Sequence, residues 1–458
     1  MDAISFGTSG WRATLEEFTA PRVRMVAQAV ADTLADEGLA GRPVAVGYDA
    51  RETSRGFAED VARVLAVNGH DVLVPGRDVP TPMVPHAIVS RDLAGGLVVT
   101  ASHNPPNYNG IKFFPADGAP ALPPVTDAIE AALREPVVGP ESEWGRIREV
   151  DLVDPHLSHV LELLDPDLEG LDVVYDAMHG SGRDVTDRVL ERAGASVTCL
   201  HCERDPTFGG RNPAPSRENL ADLVGAVRER DADLGLANDG DADRVAVVTP
   251  GRGYLDENLF FAAAYDYLLE SRSGPAVRTV STSFLIDRVA GAHDERVVET
   301  AVGFKWVAEA MAEHDALMGG EESGGFAIRD HVRAKDGVLM ALLAATAEAE
   351  RPLDDRVDAL LAEHGEIHQD KVSVECPDAD KARVVRELPD ALPATVAGRA
   401  VEDVNAVDGV KALFADGSWL LIRPSGTEPK LRVYAEAESD GAVADLLAAG
   451  RDVVEPLV

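Results

Sequence analysis

Disulfide bonding is the first thing this sequence excludes. Its 458 residues hold three cysteines, Cys199, Cys202 and Cys376, too few and odd in number for a disulfide framework. Cys199-Leu-His-Cys202 has the spacing of a redox or zinc pair, but no second ligand pair follows at a usual distance. It reads as two small residues at a strand end. No apolar run approaches the roughly eighteen residues that a membrane helix needs. The polar, glycine-rich Phe6-Gly7-Thr8-Ser9-Gly10-Trp11 is unlike a signal peptide, so a soluble, cytoplasmic protein is expected. Positive charge is also short: 43 Lys and Arg stand against 80 Asp and Glu, a net charge of −37 that argues against nucleic acid and anionic membranes as partners. The acids are spread over successive helices, as in Ala31-Asp32-Thr33-Leu34-Ala35-Asp36-Glu37, and predict a solvated acidic surface. Such a surface suits a salt-loaded cytoplasm, where a Debye length of about 3 Å at molar salt screens the self-repulsion. It leaves monomer and dimer equally open.

Hydrophobic residues make up 45% of the chain, ample for folded domains, and the length calls for two to four of them. Strand and amphipathic-helix patterns alternate in three rounds. The first runs through helix 21–39, strand 43–48, helix 56–68 and strand 95–100. The second runs through strand 171–175, helix 185–193, strand 196–200, helix 219–230 and strand 234–237. The third runs through helix 257–269, strand 277–282, helix 285–291, strand 296–302 and helix 305–313. This order predicts three similar α/β domains with mixed, mainly parallel sheets. The closely spaced strands 371–375, 410–415, 417–422 and 432–436, with helices 380–387 and 440–453, predict a C-terminal α+β domain. The expected divisions are 1–150, 151–252, 253–366 and 367–458.

Four segments carry chemistry. In Thr100-Ala101-Ser102-His103-Asn104-Pro105-Pro106 an apolar strand delivers a serine at its carboxyl end, where α/β sheets place ligands. The two prolines force a turn expected to expose the hydroxyl. The G-x-S-x-G elbow of a hydrolase is absent. Asp239-Gly240-Asp241-Ala242-Asp243-Arg244 sets three carboxylates at alternate positions, a pattern that converges on one hard cation. An EF-hand loop would need Gly and Glu where Arg244 and Pro250 stand. Gly319-Gly320-Glu321-Glu322-Ser323-Gly324-Gly325 offers carboxylate and hydroxyl groups to sugar hydroxyls between permissive glycines. Arg423-Pro424-Ser425-Gly426-Thr427-Glu428-Pro429-Lys430 gathers a guanidinium, two hydroxyls and backbone N–H groups suited to a phosphate dianion. Lysine is scarce, yet Lys112, Lys305 and Lys430 fall in or beside these segments, where contact with an anion explains them.

In this order, from Phe6-Gly7-Thr8-Ser9-Gly10-Trp11-Arg12 to the Ser-Gly-Thr loop, the motifs resemble the α-D-phosphohexomutase family, and with the acidic surface a haloarchaeal-type member of it. The resemblance implies three α/β domains and a fourth α+β domain around a central cleft. It implies a phosphorylated Ser102 and one Mg²⁺ on Ser102, Asp239, Asp241 and Asp243. Arg12, His103, Lys112 and Arg244 match residues around the phosphoryl group, with Lys112 as general base or acid and His103 as competitor. Lys305, Glu321 and Ser323 match sugar ligands, and Arg423, Ser425, Gly426 and Thr427 the holder of the phosphate that is not transferred. The implied substrate is a hexose monophosphate passing through a bisphosphate, with glucose 1,6-bisphosphate as activator and intermediate. Glu321-Glu322-Ser323 points to glucose phosphates, then mannose phosphates, with glucosamine phosphate as the alternative. A Mg²⁺-dependent sugar-phosphate phosphatase and a silent sugar-phosphate-binding protein are the competing classes.

Overall fold

The computed structural model describes residues 4–426 and 428–458. The chain folds as three α/β units followed by an α+β unit. In the first unit, strands Gly95–Val99, Val44–Tyr48, Val72–Val74 and Ile147–Glu149 run parallel. Tyr108–Pro115 and then Trp11–Thr14 extend the sheet antiparallel at the Gly95–Val99 edge. Gly95–Val99, Val44–Tyr48 and Val72–Val74 read as continuous apolar runs because helices cover both faces, Ala20–Asp36 and Ser54–Val67 on one and Met83–Ser90 on the other, while the outer strand Ile147–Glu149 is exposed.

The next two units repeat the plan. Asp172–Asp176 lies between Ser196–Leu200 and Leu234–Asn238, both parallel to it, and Val245–Thr249 and Gly253–Leu255 follow antiparallel. Ala276–Thr279 lies between Val297–Thr300 and Met318–Glu321, with Gly325–Ile328 antiparallel at the edge. The expected elements are present with ends shifted by a few residues. Helix Gly337–Glu350 was not expected: its residues 337–347 are all buried, so it lacks the one-sided period that marks a surface helix. It packs on the helices and strands of the second and third units, and one apolar core runs through the first three.

The last unit is an antiparallel six-stranded sheet in the order His368–Glu375, Lys430–Ala437, Trp419–Pro424, Val410–Phe414, Arg399–Asn405, Thr395–Val396. Helices Asp378–Ala391 and Asp440–Val454 cover one face. Arg399–Asn405 escaped the sequence reading because it is polar and mostly exposed. Cys199 falls in strand Ser196–Leu200, and all three cysteines are free thiols. Among the described residues no helix is long and apolar enough to cross a membrane.

Candidate active site

Each α/β unit presents its motif at the same place, the hairpin from a parallel strand into its antiparallel neighbour. Ser102 follows Gly95–Val99, the aspartates follow Leu234–Asn238, and Glu321 ends Met318–Glu321. Each turn passes through the left-handed region, at Ser102 (φ 51°), Ala242 (φ 50°) and Gly324 (φ 83°). For the two non-glycine residues that conformation costs roughly 1–2 kcal/mol, which the surrounding hydrogen bonds must offset.

Ser102 is fully buried, contrary to the expectation of an exposed hydroxyl, because the aspartate loop of the second unit closes over it. Its Oγ donates to Asp239 Oδ2 at 2.7 Å and lies 3.2 Å from His103 Nδ1. Asp239 Oδ1 accepts from the N–H groups of Asp243 and Arg244, both at 3.1 Å. Asp241 Oδ2 accepts from Thr81 Oγ1 at 2.5 Å and Lys112 Nζ at 2.7 Å. Asp243 Oδ2 accepts from Lys112 Nζ at 2.7 Å and pairs with Lys335 Nζ at 3.2 Å. The three carboxylates offer oxygens within 4.8 Å of one another and could hold a metal ion. Asp241 Oδ1 and Asp243 Oδ1 are buried without a hydrogen-bond partner, as carboxylate oxygens reserved for a cation would be.

The charges around this trio are opposed in sign. Burial and the neighbouring Asp241 and Asp243 charges push Asp239 well above the usual carboxylate range. Burial also pushes Asp243 upward, but Lys112, Lys335 and Arg244 outweigh it and hold it well below that range. Burial pulls Lys112 down, yet Asp241 and Asp243 more than compensate and raise it, favouring the ammonium form. Arg244, then burial and Arg12 keep His103 far below the ordinary imidazole value, hence neutral. Arg12 Nη1 donates to Asn104 Oδ1 at 3.0 Å, so this guanidinium braces the serine loop.

The remaining loops meet around Thr8. A Cβ on Gly303 would lie 2.8 Å from Thr8 Cγ2, and one on Gly426 3.4 Å from Thr8 Oγ1. Gly303, at φ 126°, opens helix Phe304–His314, and its N–H donates to Glu321 Oε1 at 3.1 Å. Lys305 lines a cleft together with Thr8, Lys112, Asp243 and Lys335. Arg244 Nη1 donates to Ser323 O at 3.3 Å, which docks the loop after Glu321 on the aspartate loop. Arg423 Nε donates to Asp408 Oδ2 at 2.9 Å, and the Ser425 N–H to Lys430 O at 2.9 Å. Lys430 turns to Glu428 and Glu375, pairs internal to its unit, so the anion contact expected of it is taken by acids of its own sheet. Thr427 lies outside the described residues.

The chain matches the phosphoglucomutase/phosphomannomutase family over its whole architecture: α/β/α domain I at residues 3–136, domain II at 154–253, domain III at 256–364 and the C-terminal domain at 372–453. It belongs to that family, the α-D-phosphohexomutases. "Probable phosphoglucosamine mutase" of Methanopyrus kandleri is 36% identical over 458 residues, covering 99% of this chain and 98% of the relative. "Phosphoglucomutase/phosphomannomutase" of Thermococcus kodakarensis is 31% identical over 460 residues, covering 98% of each. The crystal structure of a provisionally named phosphomannomutase from Thermus thermophilus superposes with a TM-score of 0.85 at 31% identity, covering 99% of both chains.

Several residues that shape this phosphohexomutase site carry no motif of their own. Lys335 stands beside Asp243 and is legible only once helix Gly337–Glu350 is placed. Arg51 is 1% exposed and donates to the carbonyls of Ser102 and Asn104, both at 2.7 Å, Pro105 at 2.6 Å and Tyr108 at 3.1 Å. Its Nε donates to Asp49 Oδ2 at 3.0 Å; that oxygen also accepts from Thr100 Oγ1 at 2.7 Å, which in turn accepts from the Ser102 N–H at 2.8 Å. Lys381 Nζ donates to Ser425 O at 2.6 Å and also to Glu428 O, two carbonyls of the segment that follows strand Trp419–Pro424. A strand-end Asp-x-Arg and a lone helix lysine are too common as surface features to stand out before the fold is known.

Proposed function

We propose that the chain interconverts hexose 1-phosphate and hexose 6-phosphate through a phosphoryl group carried on Ser102. One observation carries this reading: a buried serine hydroxyl 2.7 Å from a metal-competent carboxylate, ringed by Lys112, Lys335, Arg244 and Arg12. The phosphorus–oxygen bond to Ser102 breaks as the bond to the free sugar hydroxyl forms. The bisphosphate so made, glucose 1,6-bisphosphate for a glucose substrate, turns over in the cleft and returns its other phosphoryl group to Ser102. Ser102, Asp239, Asp241 and Asp243 would hold one Mg²⁺, which supplies charge neutralisation at the transferring oxygens. Lys112, protonated, places a further positive charge beside them. Neutral His103 sits where its Nδ1 can exchange a proton with the Ser102 oxygen. Lys305, Glu321 and Ser323 would orient the sugar, and Arg423, Ser425, Gly426 and Thr427 the distal phosphate.

For the sugar itself, the two carboxylates of Glu321-Glu322 can accept from a 2-hydroxyl or a 2-ammonium. The names of the relatives favour glucosamine phosphate; the loop Glu321-Glu322-Ser323 favours the glucose phosphates as the second reading. A coupled isomerisation assay on glucosamine, glucose and mannose 1-phosphates, with Ser102→Ala as control, separates them. Full activity in Ser102→Ala would sink the mechanism, and phosphate release without isomerisation would mark a phosphatase.

A further inference from the structure

Away from the cleft, four of the twelve histidines pack together where the first three units meet. His86 comes from helix Met83–Ser90 and His156 and His159 from helix Val153–Leu164, while His331 and Asp336 precede helix Gly337–Glu350. Neighbouring rings lie 5.1–5.4 Å apart by their centroids. Asp336 Oδ2 contacts His156 Nε2 at 2.6 Å and His331 Nε2 at 2.8 Å, and all three side chains are 0% exposed. We propose that His156, His331 and Asp336 bind one transition-metal ion of the Zn²⁺ class and so tie the second unit to the third.

The donor set is that of such an ion: imidazole nitrogen and carboxylate oxygen, a mixture that Mg²⁺ does not favour. Bonds of about 2.0–2.1 Å in a tetrahedron hold ligand atoms roughly 3.3 Å apart, so opening the two carboxylate–imidazole contacts by about 0.5–0.7 Å admits the ion. The outer shell is in place for two of the three ligands, Asp336 and His331. Asp336 Oδ1 accepts from the N–H groups of Val338 and Leu339, both at 2.9 Å, which aims Oδ2 at the rings. His331 Nδ1 lies 3.1 Å from His159 Nε2, the second contact that metal-binding imidazoles keep. His156 Nδ1, by contrast, is buried with no hydrogen-bond partner among the described residues.

The test is titration of chelator-stripped full-length protein with Co²⁺ under excess Mg²⁺, which occupies the aspartate loop. One Co²⁺ per chain with a visible ligand-field band is expected. It should vanish in His156→Ala and His331→Ala, persist in Asp241→Asn and weaken roughly 10- to 100-fold in His159→Ala. No band in the wild-type protein, an unchanged band in the histidine variants, or its loss in Asp241→Asn would overturn the proposal. Even if a histidine variant fails to fold, the absence of a band in the wild-type protein still overturns the proposal.

Discussion

Arg51→Lys tests whether the serine loop is held in place by a guanidinium rather than by its own turn. Arg51 directs one N–H at Asp49 and four at the carbonyls of Ser102, Asn104, Pro105 and Tyr108, and its guanidinium lies 5.1 Å from the Phe208 ring centroid. Lysine keeps the charge but has three donors and no planar fork, so at least two of those five contacts are lost. Each buried acceptor left unpaired costs about 1–3 kcal/mol, and the loop can recover part of that only by moving. A displacement near 1 Å at the reacting group costs about a hundredfold in rate, or ~2.7 kcal/mol of barrier. We expect kcat for isomerisation to fall about a hundredfold. KM should stay within about twofold, because the groups proposed to hold the substrate lie on other loops. Displacement of Ser102 from its closed setting should also raise the ratio of phosphate release to isomerisation. The coupled assay with parallel phosphate detection reads both. A kcat within about threefold of wild type, or a loss confined to KM, would refute the reasoning.

Lys335→Gln removes the second ammonium beside Asp243 and should lower kcat/KM about a hundredfold, in the range of losing one preorganised charge donor, as the same assay would show. Lys381→Ala frees the carbonyls of Ser425 and Glu428; KM should rise about tenfold with kcat little changed, given roughly 1.5–3 kcal/mol for hydrogen bonds from a charged donor. Burial raises Glu257 to about 7, above its unfolded value of 4.5, so the stability it contributes is present below pH 4.5 and lost as pH rises through 7. Glu257→Gln should therefore raise the thermal midpoint at pH 8, by an effect on the order of 1–3 kcal/mol, and change it little near pH 4.5. If the acidic surface is matched to salt, apparent substrate affinity should improve between low and molar salt; equal activity and affinity at both would remove that account.

Much of the architecture was legible because its signals are local. Strand and helix periods, the alternation of aspartates and the proline-bounded serine turn are properties of neighbouring residues, and they placed three α/β units, an α+β unit and four chemical loops. Elements without a local signature escaped: the mostly apolar, buried helix Gly337–Glu350 and the polar, mostly exposed strand Arg399–Asn405. Nothing local marks Ala242 as the turn residue whose φ of 50° glycine would adopt without strain.

By itself, then, the sequence determined which side chains are available for phosphoryl transfer and where the sheets present them. Only the tertiary structure decided what those side chains face. A serine after a strand end is exposed in an isolated unit, yet Ser102 is buried because an aspartate 137 residues away closes over it. Lys112 becomes a fixed cation because it is buried against Asp241 and Asp243 of another unit. Burial strengthens each charge–charge interaction and penalises each unpaired group, and burial arises only when distant segments pack.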